Sequence, residues 1–171
     1  MLIHLPTVLR APASAIVGFT TAMVMREIIH GYGDHVRRVA DMASGPQADS
    51  RFLIHKLSNE FVRRLTTDRP VREIQVFGHS DRVWINRLPN TADEQKVSHD
   101  RAVDVAQKLL FDIVTNPAGL FTPIQLRTAL QEGTLTVVVV GLGATQPLRP
   151  ATMAVNPENR RVDVRLMLIQ S

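Results

Sequence analysis

The chain contains no cysteine, which excludes disulfides and thiolate metal sites and leaves its redox compartment open. Aromatic residues are scarce as well. They make up 5% of the 171 residues, with one tryptophan and one tyrosine, too few for a base-stacking platform. The net charge of +4 favours anionic partners, but without a basic stripe it falls short of a nucleic-acid signature. No membrane-length hydrophobic run is present. "APASAIVGFTTAMVM", residues 11–25, is uncharged but shorter than the ~20 residues a helix needs to cross a bilayer. Arg10 is the one Lys or Arg before it, so it lacks the basic start of a secretory signal and reads as a buried strand-plus-helix segment.

Several catalytic patterns are missing too. The histidines, His4, His30, His35, His55, His79 and His99, show no H-E-x-x-H spacing, and no metal site is expected. His79, Ser80 and Asp81 hold the residue types of a hydrolase triad. Consecutive residues at a strand end point in alternating directions, and no G-x-S-x-G elbow supports them. "VVVVGLGATQP" ends a strand in Gly-x-Gly, yet Pro147 and Pro150 interrupt the helix that a dinucleotide pyrophosphate requires. No cofactor is expected.

What is present is ordinary globular material, 44% apolar and 21% charged, enough for one core and one domain over residues 1–171. The spacing predicts a strand around Ala15–Thr21, then a polar stretch with a helix around Asp34–Met42. Ser50 is a candidate N-cap for "RFLIHKLSNEFVRRL", where Phe52, Leu53, Leu57, Phe61 and Leu65 recur at helical spacing. A strand follows at Val71–Phe77. Thr91-Ala-Asp-Glu94 is a capping box opening a helix to about Val114, with Ala102, Val103, Ala106, Leu109, Leu110 and Ile113 as its apolar stripe. Thr122-Pro123 starts a shorter helix, closed by Gly133. "TLTVVVVG" reads as a central strand buried on both faces. "RVDVRLML" alternates as a half-exposed strand, with Val162, Val164, Leu166 and Leu168 on one face. Strands Val71–Phe77, Leu135–Val140 and Val162–Leu168 should share one sheet, and residues 82–90 should form a loop beside Asp81.

Two charged residues bracket that loop. Asp81 lies just past a strand end, and Arg101 lies on the next helix, sharing a face with Glu94 and Val97 at i, i+3 and i+7. A carboxylate and a guanidinium at one rim could take the ammonium and carboxylate of a zwitterion. Alternatively, Asp81 caps a turn and Arg101 makes a surface ion pair of little worth. Spacing alone leaves both readings open.

Four segments in order resemble the OmpA-like peptidoglycan-binding domain: Gly78-His79-Ser80-Asp81, Ser98-x-x-Arg101-Ala102-x-x-Val105, Gly141-x-Gly143-x-x-x-Pro147 and Asn159-Arg160-Arg161-Val162-Asp163-Val164. The resemblance covers residues 70–168 best and leaves 22–50 as an apparent insertion. It implies an α/β (α+β sandwich) fold, a βαβαββ mixed sheet with helices packed on one face, plus N-terminal and loop insertions. By the same resemblance, Asp81 and Arg101 hold the diaminopimelate of a cell-wall stem peptide. Ser80, Glu94, Arg160 and Arg161 join them as candidate ligand-binding residues. Glu94 stands where the family has asparagine, and about five extra residues separate Asp81 from Arg101. The implied function is non-catalytic peptidoglycan binding in the periplasm, associated with the outer membrane. The alternatives are a degenerate module serving as a protein–protein scaffold in an envelope or secretion complex, and a small enzyme using His79 or His99. Envelope proteins are possible partners; nucleic acid and a membrane span are not expected.

Overall fold

The computed structural model describes residues 20–33, 36–81, 92–147 and 156–170, with the side chains of 22–168 among them. In chain order the elements are β1 (Thr20–Ile29), α1 (Ser44–Arg64), β2 (Glu73–Gly78), α2 (Ala92–Val114), α3 (Pro123–Glu132), β3 (Thr136–Gly141) and β4 (Val162–Gln170). The strands form one mixed sheet in the order β1-β4-β2-β3. β4 runs antiparallel to both β1 and β2, while β2 and β3 are parallel and joined through α2 and α3. Parallel neighbours cannot be joined by a tight hairpin and need a long crossover, which α2 and α3 supply here.

One face of the sheet carries the core. Ile74 and Val76 of β2 and Val162, Val164 and Leu166 of β4 meet Ala102, Val105, Ala106, Leu109, Leu110 and Ile113 of α2, all buried. The 3.6-residue stripe of α2 thus packs on the period-2 rows of the sheet. α1 adds Ile54, Leu57, Phe61 and Val62. α3 contributes Leu126, and the Phe121 ring before it meets Phe61 edge-on at 5.5 Å. Thr122 caps α3, its hydroxyl accepting from Gln125 N while the Gln125 side chain accepts from Thr122 N, and Gly133 closes the helix in left-handed backbone.

The sequence reading needs correction at several places. The first described strand runs Thr20–Ile29, further along the chain than the sequence suggested; of the strand expected around Ala15–Thr21, residues 15–19 lie outside the described residues. Charges hid its extent: Arg26 pairs with Asp163 and Glu27 with Lys56 of α1, so neither disrupts the strand. Of the helix expected around Asp34–Met42, the described residues form only a 3₁₀ turn at Val39–Asp41; Asp34 and His35 lie outside them. α1 begins at Ser44, because Pro46 falls in the first turn, where no intrahelical N–H is required. Ser50 is therefore inside the helix, its hydroxyl donating back to Pro46 O at 2.7 Å, and Phe52 is exposed. β3 is an edge strand whose residues are all only partly buried, so a β-branched run did not mark a sheet centre. β4 is one of the two inner strands, with β2, and its second face is largely closed: Asp163 is buried between Arg26 and Arg165. Thr91 and residues 82–90 lie outside the described residues.

Candidate functional site

Two glycines let the N-terminal turns of α2 sit against the sheet. A Cβ on Gly78 would lie 1.8 Å from the Ser98 carbonyl oxygen, and one on Gly141 would lie 2.6 Å from His99 N. Only glycine permits so close an approach of strand end and helix. Ser98 then fastens the second strand end, its hydroxyl donating to Gln95 O at 2.8 Å and accepting from Gly143 N at 2.9 Å. Main-chain bonds complete the knot: Leu142 N to Gly78 O, Ser80 N to Gly143 O, and His79 N to Arg161 O, at 2.8–2.9 Å. All four sequence segments converge at the C-terminal ends of β2 and β3.

Arg101, one turn beyond Ser98, is 2% exposed. Its Nη1 donates to His79 O at 3.0 Å, Nε to Val36 O at 2.8 Å and Nη2 to Gly33 O at 3.4 Å. Its guanidinium carbon lies 4.9 Å from the centroid of Tyr32, the chain's one tyrosine. Asp81 is buried at the end of β2 and accepts from Asn156 N at 2.7 Å and from the Asn159 side-chain amide at 3.3 Å. Ser80 is also buried, and its hydroxyl has no hydrogen-bond partner among the described residues. Glu94, in the first turn of α2, is half-buried; Arg160, next to Asn159, is buried.

Arg161 is placed differently. It alternates with the core residue Val162 and shares the face of Asp163 and Arg165, across the sheet from α2. One nitrogen donates to Gln146 O at 3.0 Å, while Nε and Nη1 are buried without partners among the described residues, and burial lowers its pKa. His79 follows Phe77 on that face, its neighbour Gly78 facing α2, and its pKa falls to about 4, chiefly through burial and then through Arg161. A neutral imidazole is the consequence at neutral pH. Asp81 and Arg101 thus belong to one end of the sheet, with Ser80 beside them, whereas Arg161 is directed to the opposite face.

Beside Arg101, a groove of about 360 Å³ runs between the 36–41 segment and α2, lined by Arg37, Arg38, Asp41, Asp100, Val103, Asp104 and Gln107. Its charges are paired, Arg37 with Asp100 at 3.1 Å and Arg38 with Asp41 at 2.7 Å, and Asp104 bonds Lys108 and Val39 N. Among the described residues, no group of three or more acidic or histidine side chains could hold a metal ion.

No protein-family model matches the chain, and no curated protein is significantly similar to it. Solved structures do match. The peptidoglycan-associated lipoprotein of Burkholderia pseudomallei aligns at a TM-score of 0.50 and 16% identity, over 84% of this chain and 89% of that one. The OmpA-like domain of FopA1 from Francisella tularensis subsp. tularensis aligns at 0.52 and 12% identity, over 89% of this chain and 82% of that one. The chain has the OmpA-like fold.

Within that fold, the conspicuous motif residues divide by physical task. Gly78, Ser98, Gly141 and Gly143 close the strand ends onto α2. Asp81 and Arg101 supply the charges there. Sequence reasoning missed Tyr32, Asp104, Asn156 and the amide of Asn159 as parts of this region. Asn159 could have been found from its place in the fourth motif. Tyr32 and Asp104 carry no local signal, since their contacts span some seventy residues of chain. Among the described residues, no helix is long and apolar enough to cross a membrane.

Proposed function

We propose that this domain binds peptidoglycan in the bacterial envelope without altering it covalently, by holding the diaminopimelate of the stem peptide between Asp81 and Arg101. The observation that carries this reading is the convergence of the four motifs, which brings both charged residues to the end of β2: Arg101 donates to His79 O, two residues before Asp81. A carboxylate matches a ligand ammonium and a guanidinium forks onto a ligand carboxylate. The unpartnered hydroxyl of Ser80 is a further donor for the peptide, while Glu94 and Arg160 flank the pair. Arg161, on the far face, supports the strand end. The name of one structural neighbour, a peptidoglycan-associated lipoprotein, supports the same direction and an envelope location.

A second reading, a protein–protein scaffold in an envelope or secretion complex, is favoured by one observation. The three guanidinium nitrogens of Arg101 already donate to main-chain carbonyls. Co-sedimentation with purified sacculi separates the two. The unaltered protein should pellet with sacculi, and Asp81→Asn, which keeps the hydrogen-bonding shape but removes the charge, should bind roughly tenfold or more weakly. A folded, unaltered protein that stays in the supernatant would establish the scaffold reading instead.

A further inference from the structure

The sheet has two edges, and they differ. β1 carries a bulge between Met23 and Met25 and the charged residues Arg26 and Glu27. Bulges and charges are what keep an edge strand from pairing further. β3 has neither: its sequence, TVVVVG, holds no charge and no proline, and its ladder to β2 is regular. Thr136 N donates to Arg72 O and Leu142 N to Gly78 O, so the even-numbered residues of β3 turn their N–H and C=O groups to β2. Val137, Val139 and Gly141 therefore turn theirs outward. Leu135, the odd-numbered residue before them, has its N–H taken by Ala129 O, so the open row starts at Val137. Among the described residues, no strand pairs with that row.

We propose that β3 is a dimerisation edge, pairing antiparallel with β3 of a second copy about a two-fold axis at Val139. Pairing about that residue sets Val139 opposite its own copy and Val137 opposite Gly141, each pair exchanging two N–H···O bonds. Every outward group of the row is then satisfied by the same row, as a two-fold contact demands. The side chains fit this occupant too. A symmetric contact brings charges close to their own copies, and β3 has none to repel. On one face Val138 meets Val140 of the second copy. On the other stands α2, which lies over both β2 and β3. With strands ~4.8 Å apart, the two α2 helices would lie about 10 Å apart, the spacing of packed helices. Ala102 meets β2 at Gly78 and His99 meets β3 at Gly141, so Val103, one position past Ala102, is carried to the flank that faces the second copy. Val103 is half-buried and supplies an apolar contact there.

The test is sedimentation equilibrium of the unaltered protein from micromolar to near-millimolar concentration, with hydrogen exchange of the β3 amides followed at both ends of the range. The mass should rise to twice that of the chain. Exchange at Val137, Val139 and Gly141 should slow as the dimer forms, while Val138 and Val140, already bonded to β2, should exchange slowly throughout. Val139→Pro removes an N–H that β2 does not use and should weaken dimerisation by roughly ten- to a hundredfold. Val138→Lys places a charge on the edge and should weaken it roughly tenfold. Met23→Lys, on the exposed part of β1, should leave it unchanged. Circular dichroism checks that each variant is folded; should one unfold, the exchange pattern of the unaltered protein decides alone. A chain that stays monomeric at the highest concentration overturns the proposal. So does a dimer that persists in the folded β3 variants, or one that leaves exchange at Val137, Val139 and Gly141 unmoved, since the copies then meet elsewhere.

Discussion

Replacing Gly78 with alanine tests the account of the strand-end knot most directly. The added methyl carbon would lie 1.8 Å from Ser98 O and 2.7 Å from Ser98 C, both main-chain atoms of α2, and 3.2 Å from the Ala102 methyl. Non-bonded carbon and oxygen atoms seldom approach within ~3 Å in a packed interior, so strand and helix must part by more than ~1 Å. Neither side can turn away, since the obstruction is a helix backbone rather than a flexible side chain. Separation would loosen Leu142 N–Gly78 O and His79 N–Arg161 O, and it would shift Arg101, one turn beyond Ser98. Overpacking of this kind costs about 3 kcal/mol or more. For a chain of this length, that is a fall in Tm of roughly 6–12 °C.

Gly45→Ala is the matched control. Its added methyl meets nothing within 4 Å in the first turn of α1, so alanine should stabilise by about 0.5–1 kcal/mol through helix propensity and a less flexible unfolded chain. Urea unfolding of both variants beside the parent, followed by circular dichroism, measures the two signs. A Gly78→Ala protein as stable as the parent would refute the close approach of α2 to β2. It would also remove the reason for a glycine in that motif.

His79 should make stability depend on acid. Its folded pKa of about 4 lies below the ordinary ~6.5, so its contribution is whole above pH 6.5 and is lost as pH falls toward 4. Between pH 7.5 and 5 that loss is on the order of 2 kcal/mol, and His79→Gln should remove it from the pH dependence of urea midpoints; an unchanged slope would contradict the assignment. Asp163→Asn leaves Arg26 and Arg165 without their shared, buried carboxylate and should cost about 3 kcal/mol in the same unfolding assay. Thr122→Ala removes the oxygen that accepts from Gln125 N and should cost about 1 kcal/mol, with the loss confined in hydrogen exchange to the first turn of α3.

The parts of the fold that were legible in the sequence are those encoded by neighbours in the chain. The stripe from Ala102 to Ile113 marked α2, Thr122-Pro123 marked the start of α3, and the Val162–Leu168 alternation marked the core face of β4. The glycines of the first and third motifs were legible as motif members, and the structure supplies their reason: both strand ends touch the backbone of α2. The extent of β1 to Ile29 was not legible because Arg26 and Glu27 look wrong in a strand until Asp163 and Lys56, far along the chain, are set beside them.

Local periodicity determined which segments are helix or strand and which side of each is apolar, because those depend on residues within one or two turns. Asp81 and Arg101 were likewise marked by sequence as a charged pair bracketing one loop. Only the tertiary structure decided that β3 is an edge and β4 an inner strand, since strand order is set by pairing between distant segments. It alone put Arg161 across the sheet from Arg101. It alone brought the carbonyls of Gly33 and Val36 onto that guanidinium, across some sixty-five residues of chain. A carbonyl is the same group in every residue, so nothing in the sequence shows which one a buried arginine will meet.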